Sequence, residues 1–401
     1  MLRKLFIFFM VILLAGCTPS GSANFNKEDY KNISDASNEF AFDLLFNLLQ
    51  NKEDEEGNLF ISPISIHLAL AMTYNGANSE TKEEMAKVLN IDSFELEEIN
   101  RAYASFLNRV SNRDYGATLN IANSIWIQKG YPFLDSFKKN VKDYYRATVE
   151  EVEYTNPATK DKINNWVADA TNQKIKDMLT QIRPDTVAYL INAIYFKGDW
   201  KHPFKKEQTY QNTFFTNSEQ INHDFMYQDE KFSYFQNDLF QGISLPYEND
   251  EMSMYVLLPN ENKSLEDFYK EFSFVQWNNW KKQFSLQQVQ LKLPKFQFEY
   301  EVELNDALIE LGMPTAFTNY ADFSQMVKNG GIKISEVKHK SFVLVNEEGT
   351  EAAAATSVGM VETAIMESVK MTVNRPFVFL IEDNDSGLIL FIGEVNDPRG
   401  E

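Results

Sequence analysis

Residues 347–359 read EEGTEAAAATSVG: two carboxylates, a glycine and, after Thr350 and Glu351, four alanines in a row. Local propensity favours a short surface helix here, because Thr350 can cap it and alanine is the best helix former. The segment has almost no apolar stripe with which a helix could dock. It also follows a strand-like run, Phe342–Val345, and about 26 residues pass before core-like sequence resumes at Arg375, a length that usually indicates a functional loop.

A strand periodicity gives a second interpretation of the same stretch. With a period of two, one face carries only small or β-branched side chains, namely Thr350, Ala352, Ala354, Thr356 and Val358. A strand that inserts between two strands of a packed sheet needs small side chains on its buried face. The segment is therefore compatible with an exposed loop, a helix and a buried strand.

This stretch resembles the hinge of the serpins, a family in which a glycine and a run of alanines let a reactive loop enter the main sheet. The hinge residues are Glu347, Glu348, Gly349, Thr350, Glu351, Ala352, Ala353, Ala354 and Ala355. Further motifs resemble the family in the same order along the chain, and together they span roughly residues 30 to 400. They are NLFISPISI at 58–66, NAIYFKGDW at 192–200, ADFS at 321–324, His339-Lys340 and RPFVF at 375–379.

The resemblance implies an α+β fold. We expect one serpin-like domain over residues 30–401, with a large mixed central β-sheet, two smaller sheets, eight to nine helices and an exposed reactive loop at about 347–374. It also implies two clusters at the point where the sheet opens. The shutter, a buried polar cluster, consists of Ser62, Ser65, Asn192 and His339. The breach, where the loop first enters, consists of Trp200, Lys295 and Glu347, and a Glu347–Lys295 ion pair would act there as a gate or as an ordinary surface contact.

The resemblance also implies where a protease would cut the loop, but two counts disagree. Serpins generally place the cleaved bond after the seventeenth residue counted from the hinge glutamate, which from Glu347 gives Thr363-Ala364. Counting back from Arg375 on the pattern of inhibitory serpins gives Ile365-Met366 instead. Met366-Glu367 and Lys370-Met371 are further candidates. Between Glu347 and Val369 there is no lysine or arginine, so a trypsin-like enzyme could use only Lys370.

The first 16 residues predict a signal peptide. A basic start at Arg3 and Lys4 precedes ten apolar residues, too few for a stable membrane span. The sequence LAGC at 14–17 resembles the bacterial lipobox, so we expect residues 1–16 to be removed and Cys17 to carry a lipid. Residues 17–29 would form a tether. This predicts an exported protein anchored in the bacterial cell envelope, at the outer membrane or cell surface.

Composition excludes several other functions. Cys17 is the only cysteine, which excludes disulfides and thiolate metal sites, and the four histidines have no second ligand at metal spacing. We therefore expect neither metal nor cofactor. The formal charge of −20, without a basic stripe, argues against nucleic acid. Common catalytic motifs are absent from the sequence, although a hydrolase with dispersed catalytic residues stays open at this point.

The function implied by the resemblance is irreversible, suicide inhibition of serine proteases, with cysteine proteases left open as a second target class. The protein would be a monomer without catalytic residues, and the candidate bonds suit elastase-, subtilisin-, chymotrypsin- and trypsin-like enzymes. One alternative is a non-inhibitory serpin that serves as a binding lipoprotein. Another is an unrelated surface lipoprotein whose aromatic residues line an exposed groove.

Periodicity also predicts individual elements. Helices are expected at 36–50, 79–89 and 163–178. Strands are expected at 119–127, 188–197, 252–258, 289–298, 342–345, 377–382 and 388–394, with a hairpin around Asn384–Gly387.

Overall fold

A computed structural model describes residues 26–52, 57–111, 117–183, 186–328, 330–350 and 368–400. Within these ranges the chain forms nine α-helices and fifteen strands. The helices are α1 (Ser34–Gln50), α2 (Pro63–Tyr74), α3 (Ser79–Val88), α4 (Leu96–Val110), α5 (Asp135–Tyr145), α6 (Ala158–Ala170), α7 (Leu265–Tyr269), α8 (Phe274–Lys281) and α9 (Asn305–Leu311).

The strands alternate with these helices in an α+β order. They are β1 (Leu59–Ile61), β2 (Thr118–Gln128), β3 (Thr148–Val152), β4 (Ala188–Asp199), β5 (Tyr210–Phe215), β6 (Gln220–Gln236), β7 (Phe240–Pro246), β8 (Met252–Pro259), β9 (Ser285–Pro294), β10 (Phe296–Glu303), β11 (Lys338–Val345), β12 (Gly349–Thr350), β13 (Val369–Thr372), β14 (Phe377–Asp383) and β15 (Ile389–Val395).

A six-stranded mixed sheet holds the region of interest. Its strand order among the described residues is β10-β11-β12-β4-β2-β3, with β2 and β3 parallel and the other neighbours antiparallel. The two-residue strand β12 therefore lies between β11 and β4. This short strand is part of the hinge, residues 347–355.

The other strands form one continuous nine-stranded sheet in the described part of the chain. Its long strand β6 pairs with β5 at one end, with β9 through the middle and with β7 at the other end. The two smaller sheets expected from the sequence are thus joined through β6. The α+β fold that the resemblance implied is confirmed.

The most apolar segments of the sequence form the strands and the helix at the centre of the core. Strands β14 and β15 read FVFLIED and ILFIGEV, and every residue in them is buried. Helix α2 is apolar around its whole circumference, as expected of a helix covered on all sides. Pro63 occupies its first turn, where the missing N–H costs nothing. Helix α2 thereby holds Ser65 beneath the six-stranded sheet.

The helix predicted at 163–178 ends earlier than expected. Helix α6 stops at Ala170, because Asn172 and Gln173 adopt left-handed backbone angles (φ of 50° and 64°). The Thr171 hydroxyl donates to the Val167 carbonyl oxygen at 2.8 Å at this end. Apolar residues beyond the helix, such as Met178, still pack in the small core beneath it, which explains the misleading periodicity.

The single strand predicted at 289–298 is divided at Lys295. Strand β9 ends at Pro294 and pairs with β6, whereas β10 begins at Phe296 and pairs with β11 in the other sheet. The apolar alternation shifts phase across the break, from Val289, Leu291 and Leu293 to Phe296 and Phe298, and this shift is a signal that a single predicted strand overlooked. The other predicted strands and helices lie within one to four residues of the observed elements.

Candidate functional site

A tight turn leads the chain from β11 into β12. The Asn346 side-chain oxygen accepts hydrogen bonds from the backbone N–H groups of Glu348 (3.0 Å) and Gly349 (3.2 Å). The Asn346 N–H in turn donates to the Gly349 carbonyl oxygen at 3.0 Å. Asparagine is well suited to such a turn, because its short side chain reaches the backbone two residues ahead. The turn brings Thr350 opposite Val345.

Gly349 is required by the close approach of β12 to β4. A Cβ atom at this position would lie 2.1 Å from the carbonyl oxygen of Gly198, which no side chain can tolerate. Gly349 pairs with Asp199, and Thr350 pairs with Gly198. The beginning of the hinge is therefore already a strand of the sheet.

The breach residues converge around this turn. The Lys295 Nζ atom lies 3.2 Å from the Glu347 carboxylate, and the Thr209 hydroxyl donates to the same carboxylate at 2.8 Å. Burial alone would raise the pKa of Glu347, but the hydrogen bonds from the backbone, Thr209 and Lys295 together lower it. The expected ion pair is present, and its action as a gate stays a prediction.

Tyr247 is a breach residue that the sequence did not reveal. It is fully buried, and its hydroxyl lies 2.8 Å from the hydroxyl of Thr350. Its ring stacks on Trp200 with 4.8 Å between centroids, and the Trp200 indole N–H donates to the Asn346 carbonyl oxygen. An aromatic residue just after a strand carries no distinguishing signal, so only the structure connects it with the hinge.

Two of the shutter residues are joined by a direct hydrogen bond. The Ser62 N–H donates to His339 Nε2 at 3.1 Å, and the Ser62 hydroxyl donates to the Leu390 carbonyl oxygen at 2.8 Å. Accepting this bond requires an unprotonated Nε2, so the histidine is neutral. Burial lowers the pKa of His339 to about 3.

The other shutter residues have incomplete hydrogen bonding. The Asn192 side-chain amide donates to Asn123 at 2.8 Å, which in turn donates to the Tyr145 carbonyl oxygen. Among the described residues, Asn192 Oδ1 and Ser65 Oγ are buried without a hydrogen-bond partner. Buried polar atoms without partners are uncommon and call for an explanation.

These atoms face a cleft between β4 and β11. The cleft has a volume of about 370 Å³, and Ser65, Asn192 and His339 contribute to its walls together with apolar residues such as Leu190 and Met326. In the described part of the chain, β4 is paired with β2 and β12, and β11 with β10 and β12. Below Thr350 no described strand pairs with the facing edges of β4 and β11, and the cleft lies further along them, at the level of Asn192 and His339.

The candidate bonds fall in two places. Lys370 and Met371 lie in β13, which pairs with β9 in parallel register, and Met371 is fully buried. Residues Thr363, Ala364, Ile365, Met366 and Glu367 lie outside the described residues, as do the hinge residues Glu351 to Ala355 and the expected lipid site Cys17.

Other kinds of site find no support in the described ranges. No group of three or more histidine, cysteine, aspartate or glutamate side chains there could hold a metal ion. No helix in the same ranges has the length and apolar character needed to span a bilayer.

The model of the family described as Serpin (serine protease inhibitor) matches residues 35–398. The chain belongs to the serpin family. An uncharacterized serpin-like protein of Methanosarcina acetivorans is 35% identical over 422 residues, covering 100% of this chain and 97% of the relative. The leukocyte elastase inhibitor of Xenopus laevis is 36% identical, covering 92% of this serpin and 100% of the relative. The native structure of the thermophilic serpin tengpin has a TM-score of 0.83 and 33% identity, covering 94% of this chain and 96% of that one.

The neutral state of His339 makes the stability of this serpin sensitive to acid. Because the pKa of His339 is about 3 in the folded chain and near the ordinary 6.5 in the unfolded chain, the unfolded chain binds a proton first as the pH falls. The contribution of His339 to the free energy of unfolding is therefore full above about pH 6.5 and declines below it. His339→Gln should reduce the slope of unfolding free energy against pH by up to about 1.4 kcal/mol per pH unit between pH 6.5 and 4.

Urea unfolding at a series of pH values measures this slope. The matched control is His202→Gln, because His202 is exposed. His67 also has a pKa lowered by burial, to about 4, so some slope should persist in the His339 variant. Equal slopes for the wild type and the His339 variant would contradict the assignment.

Proposed function

We propose that this serpin is a suicide inhibitor of serine proteases that acts by inserting its cleaved loop into the cleft between β4 and β11. It has no catalytic residues of its own in this proposal, and the protease supplies the chemistry. The family described as serine protease inhibitors and the likeness to an elastase inhibitor support this direction. The geometry of β12 supports the mechanism.

The register of β12 is the observation that carries the proposal. Thr350 is already paired with both neighbouring strands, in antiparallel register on each side. If β12 continued without a bulge, each further loop residue would pair with the residue one position earlier in the sequence of both β4 and β11. This brings Thr356 between Asn192 and His339. The two shutter residues lie on different strands, so two independent registers agree on one loop residue.

The side chain of Thr356 would also suit the chemistry of the shutter. Side chains alternate between the faces of a strand, so Thr356 would point to the same side as Thr350, whose hydroxyl meets Tyr247 in the core. On that side lie Ser65 Oγ and Asn192 Oδ1, which have no partner among the described residues. A hydroxyl can both donate and accept, and each buried polar atom left unpaired costs about 1–3 kcal/mol.

The sequence of steps follows from this geometry. The serine hydroxyl of the protease attacks the carbonyl carbon of the bait bond, the amine of the following residue leaves, and an acyl-enzyme forms. The new end of the loop is then free to extend β12 into the cleft. The protease remains attached to the loop through the ester bond of the acyl-enzyme and moves with it. Its active site is distorted before water can hydrolyse that ester.

The position of β13 bears on the choice of bond. A protease binds its substrate as an isolated extended strand, whereas Lys370-Met371 is paired with β9 and Met371 is buried. Cleavage there requires β13 to leave the sheet. We therefore infer that the bond lies between Thr363 and Glu367, which suits elastase-, subtilisin- and chymotrypsin-like enzymes. Trapping of trypsin-like enzymes through Lys370 would be inefficient.

Two neighbouring alanines offer a matched test of insertion. The register places Ala352 between Phe196 and Val343, which are both buried, whereas Ala353 would point to the opposite face of the sheet. Ala352→Glu should turn the inhibitor into a substrate, because an uncompensated buried charge costs about 3–5 kcal/mol. Ala353→Glu adds the same charge at the adjacent position and should still trap protease.

The measurement is the fraction of an elastase-like protease held in a denaturant-resistant complex, together with the amount of cut inhibitor released. Equal trapping by the two variants would rule out insertion in this register. A wild type that is cut by every protease of a broad panel and never retains one would instead favour the non-inhibitory alternative.

We further propose that Cys17 anchors the protein in the bacterial cell envelope through a lipid, as the LAGC sequence at 14–17 indicates. Cys17→Ser should move the protein from the membrane fraction to the soluble fraction, whereas Thr18→Ala should not. Protease trapping should be unchanged, because the first described helical turn begins only at Asp29, well beyond Cys17. Retention of the Cys17 variant in the membrane fraction would contradict the anchor.

A further inference from the structure

The cleft between β4 and β11 continues behind the six-stranded sheet as far as helix α2. All residues of α2 are buried except Ala69, although the helix is apolar around its whole circumference. Ala69 lies in the wall of the cleft, as do Leu70 and Thr73 of the same helix. The exposure of Ala69 therefore comes from the cleft, and part of this space lies between α2 and the inner face of the sheet.

Below the shutter, the side chains in the wall of the cleft are largely apolar. Leu190 lies two residues before Asn192 on β4, Val337 lies two residues before His339, and both apolar side chains are only partly buried. The cleft volume of about 370 Å³ is roughly two and a half times the roughly 150 Å³ that accommodates benzene, so about 15 non-hydrogen atoms fit. Pockets of this size, with apolar walls and a few polar groups, are typical small-molecule sites.

Two side-chain amides fix the hydrogen bonding that the shutter end of the cleft offers. The Asn192 Nδ2 group donates to Asn123 Oδ1 at 2.8 Å, and the Asn123 Nδ2 group donates to the Tyr145 carbonyl oxygen at 2.9 Å. Because a carbonyl oxygen only accepts, Asn123 must turn its Nδ2 toward Tyr145 and its Oδ1 toward Asn192. Asn192 therefore presents its own Oδ1 to the cleft, where neither this atom nor Ser65 Oγ has a partner among the described residues. A hydroxyl group both donates and accepts, so a single ligand hydroxyl can satisfy both atoms.

The shutter end of the cleft favours an uncharged ligand group. The charged residues in the wall are Lys333, Glu336 and Lys338. Lys338 forms ion pairs with Glu301 (3.1 Å) and Glu336 (3.8 Å), and Lys333 is exposed. His339 is neutral, because its Nε2 atom accepts a backbone N–H. A carboxylate placed beside Ser65 would therefore lose its hydration without gaining a cationic partner.

We propose that the cleft binds a small neutral amphiphile, with its apolar body along α2 and a hydroxyl head that donates to Asn192 Oδ1 and accepts from Ser65 Oγ. Simple alcohols and monoacylglycerols share this chemistry. The head occupies the two atoms that the inserting loop would otherwise meet, so a bound amphiphile keeps the loop outside the sheet and lets the protease escape. This regulatory role rests on the proposed inhibitory function, whereas the binding itself does not.

Isothermal titration calorimetry with the full chain measures the binding directly. 1-Octanol should bind with one molecule per chain, and octanoate, which has the same chain length but no donor, should bind at least about tenfold more weakly. Monooctanoylglycerol separates the two sources of a hydroxyl head. Tighter binding than that of 1-octanol indicates glycerides, weaker binding indicates simple alcohols, and either result supports the site. Octanoate that binds as tightly as 1-octanol would overturn it.

Two variants test the placement of the ligand. Ser65→Ala removes a hydroxyl that has no partner among the described residues, so the melting temperature should be kept while the Kd for 1-octanol rises about fivefold. Ala69→Leu fills the space along α2 and should raise the Kd by about tenfold or more. The matched control is Ala158→Leu, at an exposed position of α6, which should leave the Kd unchanged.

Melting temperatures equal to that of the wild type establish that the variants are folded, and Ser65→Ala alone decides if Ala69→Leu does not fold. An unchanged Kd in Ser65→Ala would overturn the proposed placement, as would an equal loss in the Ala158 variant.

The regulatory role has a separate readout. Saturating 1-octanol should lower the fraction of an elastase-like protease that the wild type holds in a denaturant-resistant complex. The same addition should change nothing with Ala69→Leu, which excludes an effect of the alcohol on the protease. If 1-octanol binds as expected and the wild type traps no protease at all, the site stands and the inhibitory function fails. Unchanged trapping by the wild type at saturation would overturn the regulatory role.

Discussion

Thr350 lies as a strand residue between β4 and β11. It is hydrogen-bonded as a strand to both neighbours, it is 2% exposed, and its hydroxyl contacts Tyr247. The turn at Asn346, the glycine at position 349 and the Glu347–Lys295 pair all fix this short strand in place. Beyond β12 no described strand pairs with the facing edges of β4 and β11, and the cleft lies further along these two strands. The proposed mechanism depends on this one constraint.

The opening has an energetic consequence further along the sheet. Ser65 Oγ and Asn192 Oδ1 are buried without partners in the described part of the chain, and the cleft beside them is partly lined with apolar residues. A strand with small inward side chains and one threonine at the shutter would cover these apolar residues and offer a hydroxyl to the two polar atoms, which would lower the free energy. His339 and Ser62 meanwhile keep one polar contact that does not depend on the incoming strand. The same residues thus maintain the opening and favour its closure by the loop.

Much of this arrangement could be predicted from the sequence, because the hinge needs particular residues. A close backbone contact allows only glycine at position 349, and a slot in a sheet requires small side chains on one face, so both leave a visible pattern. The early end of α6 left none, since apolar residues continue past it, whereas the break at Lys295 is marked only by a shift in the phase of the apolar alternation. Tyr247 could not be found either, because its role comes from contacts with residues distant in sequence. The position of Lys370 in a paired strand likewise depends on β9, far from it along the chain.

A crystal structure of the protein after a single cut between Thr363 and Glu367 tests the central claim most directly. We expect residues 350–358 to form a strand between β4 and β11, with Thr356 between Asn192 and His339 and its hydroxyl bonded to Ser65 or Asn192. A shift of the strand by one residue would turn Thr356 to the other face and leave those atoms unpaired. A cut loop that stays outside the sheet, or β4 and β11 paired directly with each other, would contradict the account.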